Sequence, residues 1–553
     1  MSDNDGKIFG IDLGTTYSAI AYVDEYDKPI VVPNAENERV TPSVVFFDNS
    51  EIIVGQVAKE YAKTQPDDIV AFIKRSMGDP NFLFVHNNDT FRAEEISAYI
   101  LKKLVKDAEQ NLGVQIKDVV ITCPAYFGIN EREATKKAGE IANLNVRNII
   151  NEPTAAAITY GSIETNENKV VLVYDLGGGT FDTTMIEIKP DSINVICTGG
   201  DHNLGGKDWD DRIIAYLVEQ FHNETGTNED ILEDPETLQD LILSAEGAKK
   251  NLSKRDKAPI RVTHEGEKVS IQLERSKFEE LTEDLLERTI SLTHEMLSDA
   301  KKKGYENFDE ILLVGGSSRM PMVSERIKKE FSIEPKLFDP DESVAKGAAI
   351  FGRKLSLGDK LVEKISQITN KDAQDINLDT IDENVKSEAM KKVSEDQAIP
   401  MFTLQNMINK EIKNVTSKSF GIIALDNQKN EIVVNLVEKN STVPIDITKQ
   451  FGTSDDNQDN VLIQIMENEY TDDRILPENA SEIGNAKLDL PSGLPEHSPI
   501  DVNFKLNEEG RLDITAIELT ENRIVNATIE TNSVIQGDDF EMAKSRSNKM
   551  TVT

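Results

Sequence analysis

Y-D-L-G-G-G-T-F-D, residues 174–182, ends an apolar run at Lys169–Leu176 and turns through three glycines into a hydroxyl and an aromatic ring. The same plan occurs earlier, as G-I-D-L-G-T-T-Y-S over Gly10–Ser18, in the run that opens at Lys7. A third turn, V-G-G-S-S-R at Val314–Arg319, follows the run Glu310–Val314. Glycines let backbone N–H groups reach phosphate oxygens with no Cβ in the way. Thr15, Thr16 and Thr180 add hydroxyl donors, and Asp12 and Asp175 stand where the strands end. Facing carboxylates there would hold Mg²⁺ mostly through water, because Mg²⁺ dehydrates reluctantly. One such copy is an ordinary strand exit. Two related copies and a third turn point to two α/β lobes closing on one nucleotide triphosphate. Neither a GxxxxGK[ST] loop nor a GxGxxG fingerprint accounts for them.

Around these loops, residues 1–357 alternate short apolar runs, such as Lys117–Thr122, with helical stretches, such as Ala93–Leu112 and Ser276–Lys303. That alternation is the mark of α/β architecture. Residues 358–414 are polar and charged, and read as a helical or partly disordered connector. From 415 to 536 the pattern has a period of two. Lys418–Leu425, Glu431–Lys439, Val443–Phe451, Val461–Glu467, Ile500–Leu506 and Arg511–Leu519 read as strands of an antiparallel β-sandwich, with Asn507–Gly510 as one of its turns. Residues 537–553 read as a short polar tail, too brief for a helical bundle.

The chain has 553 residues, a length that suits about three or four domains. Lys and Arg total 61 against 99 Asp and Glu, a net charge of −38, which argues against general nucleic-acid binding. No apolar run approaches the roughly 18 residues of a membrane helix. The opening Met-Ser-Asp-Asn-Asp has no signal-like apolar stretch. With only Cys123 and Cys197, a disulfide framework and a cysteine zinc site are excluded, and a cytoplasmic setting is expected.

Eight strings, in order through the first 350 residues, carry a resemblance. They are I-D-L-G-T-T-Y-S (11–18), K-R-S-M-G (74–78), P-A-Y-F (124–127), N-E-P-T-A-A-A-I-T-Y-G (151–161), D-L-G-G-G-T-F-D (175–182), L-G-G-K-D-W-D (204–210), V-G-G-S-S-R-M-P (314–321) and D-P-D-E-S-V-A-K-G-A-A (339–349). With them the chain resembles the seventy-kilodalton heat-shock chaperones (DnaK-like), within the actin and sugar-kinase superfamily. A weaker match continues at Gln450–Ile465.

The resemblance implies an actin-like ATPase domain of two duplicated lobes, followed by a client-binding β-sandwich. It implies that Gly14, Thr15, Thr16 and Tyr17 contact the phosphates of ATP or ADP from one side, and Gly177, Gly178, Gly179 and Thr180 from the other. Asp12 and Asp175 would organise Mg²⁺ and K⁺. Lys74 would be the catalytic lysine, with Glu152, Asp182 and Thr180 near the attacking water. Taken alone, Lys74 reads as a surface lysine. Pro124 and Arg132 match the segment that relays nucleotide state, although Pro124 alone is a plain strand terminator.

Gly206, Glu246, Lys249, Lys250 and Ser253 would meet the nucleotide from one side, and Gly315, Gly316, Ser317, Arg319 and Asp341 from the other. The helix spacing of Glu246, Lys249, Lys250 and Ser253 equally suits a solvated salt-bridge face. Lys250 stands where the family has a stacking arginine, so nucleotide affinity is expected to differ. Phe420, Ile422, Phe451, Val461, Ile463 and Ile500 would line a peptide pocket, with sandwich core as the alternative at each.

The resemblance further implies unfolded polypeptide clients, a J-domain co-chaperone and a nucleotide-exchange factor, with no nucleic acid or membrane partner. Three departures stand out. Asn409–Lys418 replaces the family's leucine-rich interdomain linker, the polar connector is extra, and no helical lid is read, so faster peptide release is expected. The competing readings are a nucleotide-binding co-chaperone or scaffold with little turnover, and a small-molecule kinase or filament-forming actin relative.

Overall fold

The computed structural model describes residues 6–553 apart from 50, 164–167, 379, 509, 522 and 529–532. The opening pentapeptide and Glu509 of the expected turn therefore lie outside the described residues. Among the described residues, no helix is long and apolar enough to cross a membrane.

Two six-stranded sheets carry the glycine loops. In the first, Phe9–Asp12 pairs in parallel with Asp118–Cys123, which pairs in parallel with Asn145–Asn151. On its other side Phe9–Asp12 runs antiparallel to Tyr17–Val23, which pairs with Pro29–Val31. The second sheet repeats the plan. Lys169–Leu176 pairs in parallel with Glu310–Val314 and antiparallel with Phe181–Ile188, which leads to Ser192–Asp201. Strands buried on both faces read as continuous apolar runs, as in V-V-L-V-Y at 170–174. Each sheet has its own core, one around Phe9, Phe47 and Tyr99, the other around Tyr174, Phe181 and Trp209. Where the helices Glu152–Ile163 and Ser343–Thr369 cross, a Cβ on Gly347 would lie 1.8 Å from the Ala155 carbonyl oxygen, so the crossing requires glycine.

The expected boundary at residue 357 falls inside the Ser343–Thr369 helix. Leu357, Leu361 and Ile365 on that helix meet Ala389, Met390 and Val393 of Glu383–Gln397 and Leu404 of Met401–Asn409 in one apolar core. The connector is a packed helical unit. Its few apolar residues are enough because they fall at helical spacing and face inward. It then runs into Glu411–Lys413, which adds in parallel to the open edge of Ser192–Asp201, with Ile412 beside Ile193. The segment that replaces the expected linker is thus docked on the second sheet.

Residues from Ser419 form two facing antiparallel sheets, of five and four strands, with Ile465 and Phe504 fully buried between them. The strand expected from Val443 starts at Ile445, after Pro444, which has no N–H to donate. Ser481–Asp489 and Arg523–Thr528 are further strands. The sandwich is seated on the first lobe. Ile129 inserts into the sandwich core, Ser417 Oγ donates to the Phe127 carbonyl at 2.9 Å, and Lys418 Nζ lies 4.1 Å from the Tyr126 ring.

The tail is also packed. Gly537–Lys549 is a helix against the first lobe, and Thr551–Val552 adds in parallel to Glu51–Val54. Val534, Ile535, Ala543 and Val552 enter the first lobe's core. Arg546 reaches both carboxylate oxygens of Glu95, whose side chain is 2% exposed.

Candidate nucleotide site

The loops that end the two leading strands meet face to face. A Cβ on Gly178 would lie 1.7 Å from Thr16 Oγ1, and one on Gly179 would lie 2.3 Å from Thr15 Cγ2. Only glycine permits that approach. The first loop is braced from within. Ser18 Oγ accepts from the Gly14 amide at 3.1 Å, and Ser43 Oγ donates to the Gly14 carbonyl at 2.8 Å. In the second, the Gly177 amide bonds the Thr180 carbonyl, while Gly206 N and Lys207 N donate to the Gly177 and Gly178 carbonyls. Thr180 is buried. The third turn joins them, because Gly315 takes a φ of +79°, and a Cβ there would lie 2.4 Å from Asp175 Oδ1.

Beneath the loops, Lys74 is buried and paired with Glu152. Its burial favours the neutral amine, but Glu152 and Asp12 outweigh that and raise its pKa. Burial, then Glu152, push Asp12 up to about 7, although Thr122 Oγ1 donates to it at 3.2 Å. Burial and Glu152 push Asp182 to about 7 as well, against hydrogen bonds from the Tyr126 and Ala125 amides. Asp175 is raised further by burial and by Glu152, Asp182 and Asp12. The structure therefore brings Asp12, Lys74, Glu152, Asp175 and Asp182 into one electrostatic cluster. Four carboxylates around one lysine resist ionising together, and a divalent cation at Asp12 and Asp175 would relieve that repulsion, so the residues fit one. Thr16 Oγ1, which faces Gly178, is buried and has no hydrogen-bond partner among the described residues.

The residues expected to relay nucleotide state lie close to one another. Pro124 follows the Asp118–Cys123 strand, and Arg132 bonds Asn151, the neighbour of Glu152, and the Phe127 carbonyl at 3.1 Å.

On the adenosine side, Lys250 Nζ is 2.6 Å from Glu246 and 2.7 Å from the Tyr17 hydroxyl. Burial pushes Glu246 up, but Lys59 and Lys250 outweigh it and bring its pKa down to about 2. Lys249 turns away to bond the Gly206 carbonyl and Asp210, each at 2.6 Å. Ser253 Oγ bonds the Lys249 carbonyl of its own helix, at 3.0 Å. A Cβ on Gly206 would lie 2.3 Å from Ser317 Oγ, and one on Gly316 would lie 3.7 Å from Asp341 Oδ1. Arg319 pairs with Asp341, and both are substantially exposed. Lys59, Arg75, Thr122, Asp208 and Asp210 were not singled out from sequence. Arg75, Asp208 and Asp210 lie inside the quoted strings. Arg75 ties the lobes by donating to the Gly179 carbonyl at 2.9 Å and pairing with Asp208 at 2.6 Å. Nothing in the sequence marks Lys59.

The six residues proposed to contact peptide lie in one cluster of the sandwich. Phe420, Ile422, Ile463 and Ile500 are buried in it, and Phe451 and Val461 form its partly buried margin.

The glycine loops, the buried lysine and the carboxylate cluster fit a nucleotide-dependent enzyme of the ATPase class. The chain matches the sequence model described as "Hsp70 protein" over residues 8–401 and 378–553. It is 36% identical over 546 residues to the chaperone protein DnaK of two strains of Halobacterium salinarum, covering 97% of this chain and 77% of each relative. The chain belongs to the Hsp70 family.

Proposed function

We propose that this protein is an ATP-dependent chaperone that binds extended apolar segments of unfolded polypeptides, with ATP hydrolysis setting their affinity. The observation that carries the reading is the Lys74–Glu152 ion pair, buried beneath two interlocked glycine loops among Asp12, Asp175 and Asp182. The two six-stranded sheets and their helices, as far as Ser343–Thr369, form the actin-like ATPase part, its lobes related by duplication, and the strands from Ser419 to Thr528 form the client-binding sandwich. Gly14–Tyr17 and Gly177–Thr180 hold the phosphates, and Glu246, Lys250 and Gly315–Ser317 frame the nucleoside. Asp12 and Asp175 would hold Mg²⁺, mostly through water, and K⁺. The metal, when bound, neutralises phosphate charge. Lys74 then faces the charge that develops on the γ-phosphate, and the Glu152 and Asp182 carboxylates accept from the attacking water and orient it.

The pairing of Ile412 with Ile193 gives the sandwich a direct connection to the second lobe, which supports coupling between nucleotide and client sites. Work in the cytoplasm with a J-domain co-chaperone and a nucleotide-exchange factor completes the proposal. Steady-state ATPase assays with and without an apolar peptide and a J-domain protein test it. Stimulation is expected, and a flat, near-zero rate would favour the scaffold reading.

A further inference from the structure

On the far side of the second lobe from the glycine loops, His264, Glu229 and Glu265 converge. One ring nitrogen and one oxygen from each carboxylate all lie within 4.8 Å of one another, among the described residues the one such group of metal-ligating side chains. The histidine is prepared for a ligand. Thr237 Oγ1 gives its proton to Asp234, so it can only accept at its 3.0 Å contact with His264 Nδ1. That contact puts the ring proton on Nδ1 and leaves the Nε2 lone pair available, the arrangement that outer hydrogen bonds impose on metal-bound histidines. The edge-on ring of Phe221, 6.2 Å away, holds the imidazole, whose side chain is only 11% exposed. Glu229 is positioned from both sides, as His222 Nε2 donates to its carbonyl at 2.9 Å and Ile231 is fully buried. Neither the Glu229 nor the Glu265 carboxylate has a hydrogen bond or ion pair within the described residues.

We infer that Glu229, His264 and Glu265 form a second metal site, separate from the nucleotide site, for a divalent transition cation of the Zn²⁺ class. An imidazole nitrogen with two carboxylates favours such an ion over Ca²⁺ or Mg²⁺, and three protein donors leave room for water. The site lies where two helices turn back on each other. Gly206–Thr225 begins at the nucleotide loops and ends just before Glu229, and Pro235–Leu252 returns to the cleft with Glu246 and Lys250. A metal there clips that turn to the Lys257–His264 and Glu267–Glu274 hairpin and fixes the helix pair at its outer end.

Calorimetric titration of Zn²⁺ into the full chain, saturated beforehand with ADP and excess Mg²⁺, tests the inference without relying on turnover. One equivalent is expected to bind more tightly than about 1 mM. Glu229→Gln and Glu265→Asn are each expected to weaken it by about tenfold or more, and His264→Gln to abolish it. Glu265 has a φ of +47°, which asparagine adopts readily, so Glu265→Asn removes a ligand without loosening the turn. The inference is overturned if Zn²⁺ gives no heat, or if it binds the two glutamate variants as tightly as the parent chain.

Discussion

The Glu467 carboxylate of the sandwich rests on the backbone of Gly128 so closely that a Cβ there would lie 2.6 Å from both of its oxygens. It also accepts from the Ile129 amide at 3.3 Å, at the start of the helix Ile129–Ile141. Burial, then repulsion from Glu131, push its pKa up to about 7, against the pull of Lys418 and Arg132. The seated state therefore holds a proton that the free carboxyl, with its ordinary value of 4.5, gives up. Seating weakens as pH rises from about 4.5 to about 7 and changes little above that range. Hydrogen exchange at the Gly128 and Ile129 amides across pH 5–8 should show protection falling with pH. Glu467→Gln should flatten the profile, and an unchanged profile in that variant would refute the assignment.

Lys74→Ala should leave nucleotide binding in place and slow turnover by at least about tenfold, or about 1.4 kcal/mol of barrier. The substitution also leaves Glu152 without its cation in a buried carboxylate cluster. Single-turnover hydrolysis beside ADP calorimetry separates the two effects, and undiminished turnover would remove Lys74 from the chemistry.

Lys250 lies 4.9 Å from the centre of the Tyr17 ring and is bonded to the Tyr17 hydroxyl and Glu246, beside the proposed nucleoside position. Lys250→Arg keeps the charge and supplies a flat guanidinium that can stack. ADP affinity should rise by about threefold or more, worth about 0.7 kcal/mol. Equal or weaker binding would show that the lysine is not replacing a stacking group.

Arg546→Ala should release the C-terminal helix, because it strands the buried Glu95 carboxylate, whose pKa burial already raises. Losing one partner of a buried pair costs about 3 kcal/mol, of which the 24% exposure of Arg546 removes a part. Limited proteolysis should cut residues 533–553 first in the variant. Equal resistance would mean that the apolar contacts of Ile535 and Val552 suffice.

Much of this was legible in the sequence. Ala93–Leu112, Lys169–Leu176 and Glu310–Val314 form as their patterns indicate, because each carries enough apolar residues to set its own period. The loops were legible because glycine at a close approach has no substitute. The connector was harder, since Leu361, Ile365, Met390, Val393 and Leu404 are sparse among charges and show their purpose only when three helices meet. The tail helix buries little beyond Ala543 and Ser547, small residues with no amphipathic signature. Partnerships across long separations, Lys74 with Glu152 or Glu467 with Gly128, depend on the fold and leave no mark in local spacing.

Glu95 waits 451 residues for Arg546. A ribosome adding about 5–20 residues per second reaches it roughly 20–90 s later. Through that interval the first lobe carries a bare apolar trough and an unpaired strand edge at Glu51–Val54. A newborn copy thus presents, through that interval, an apolar surface and a strand edge that only the last residues of the chain cover.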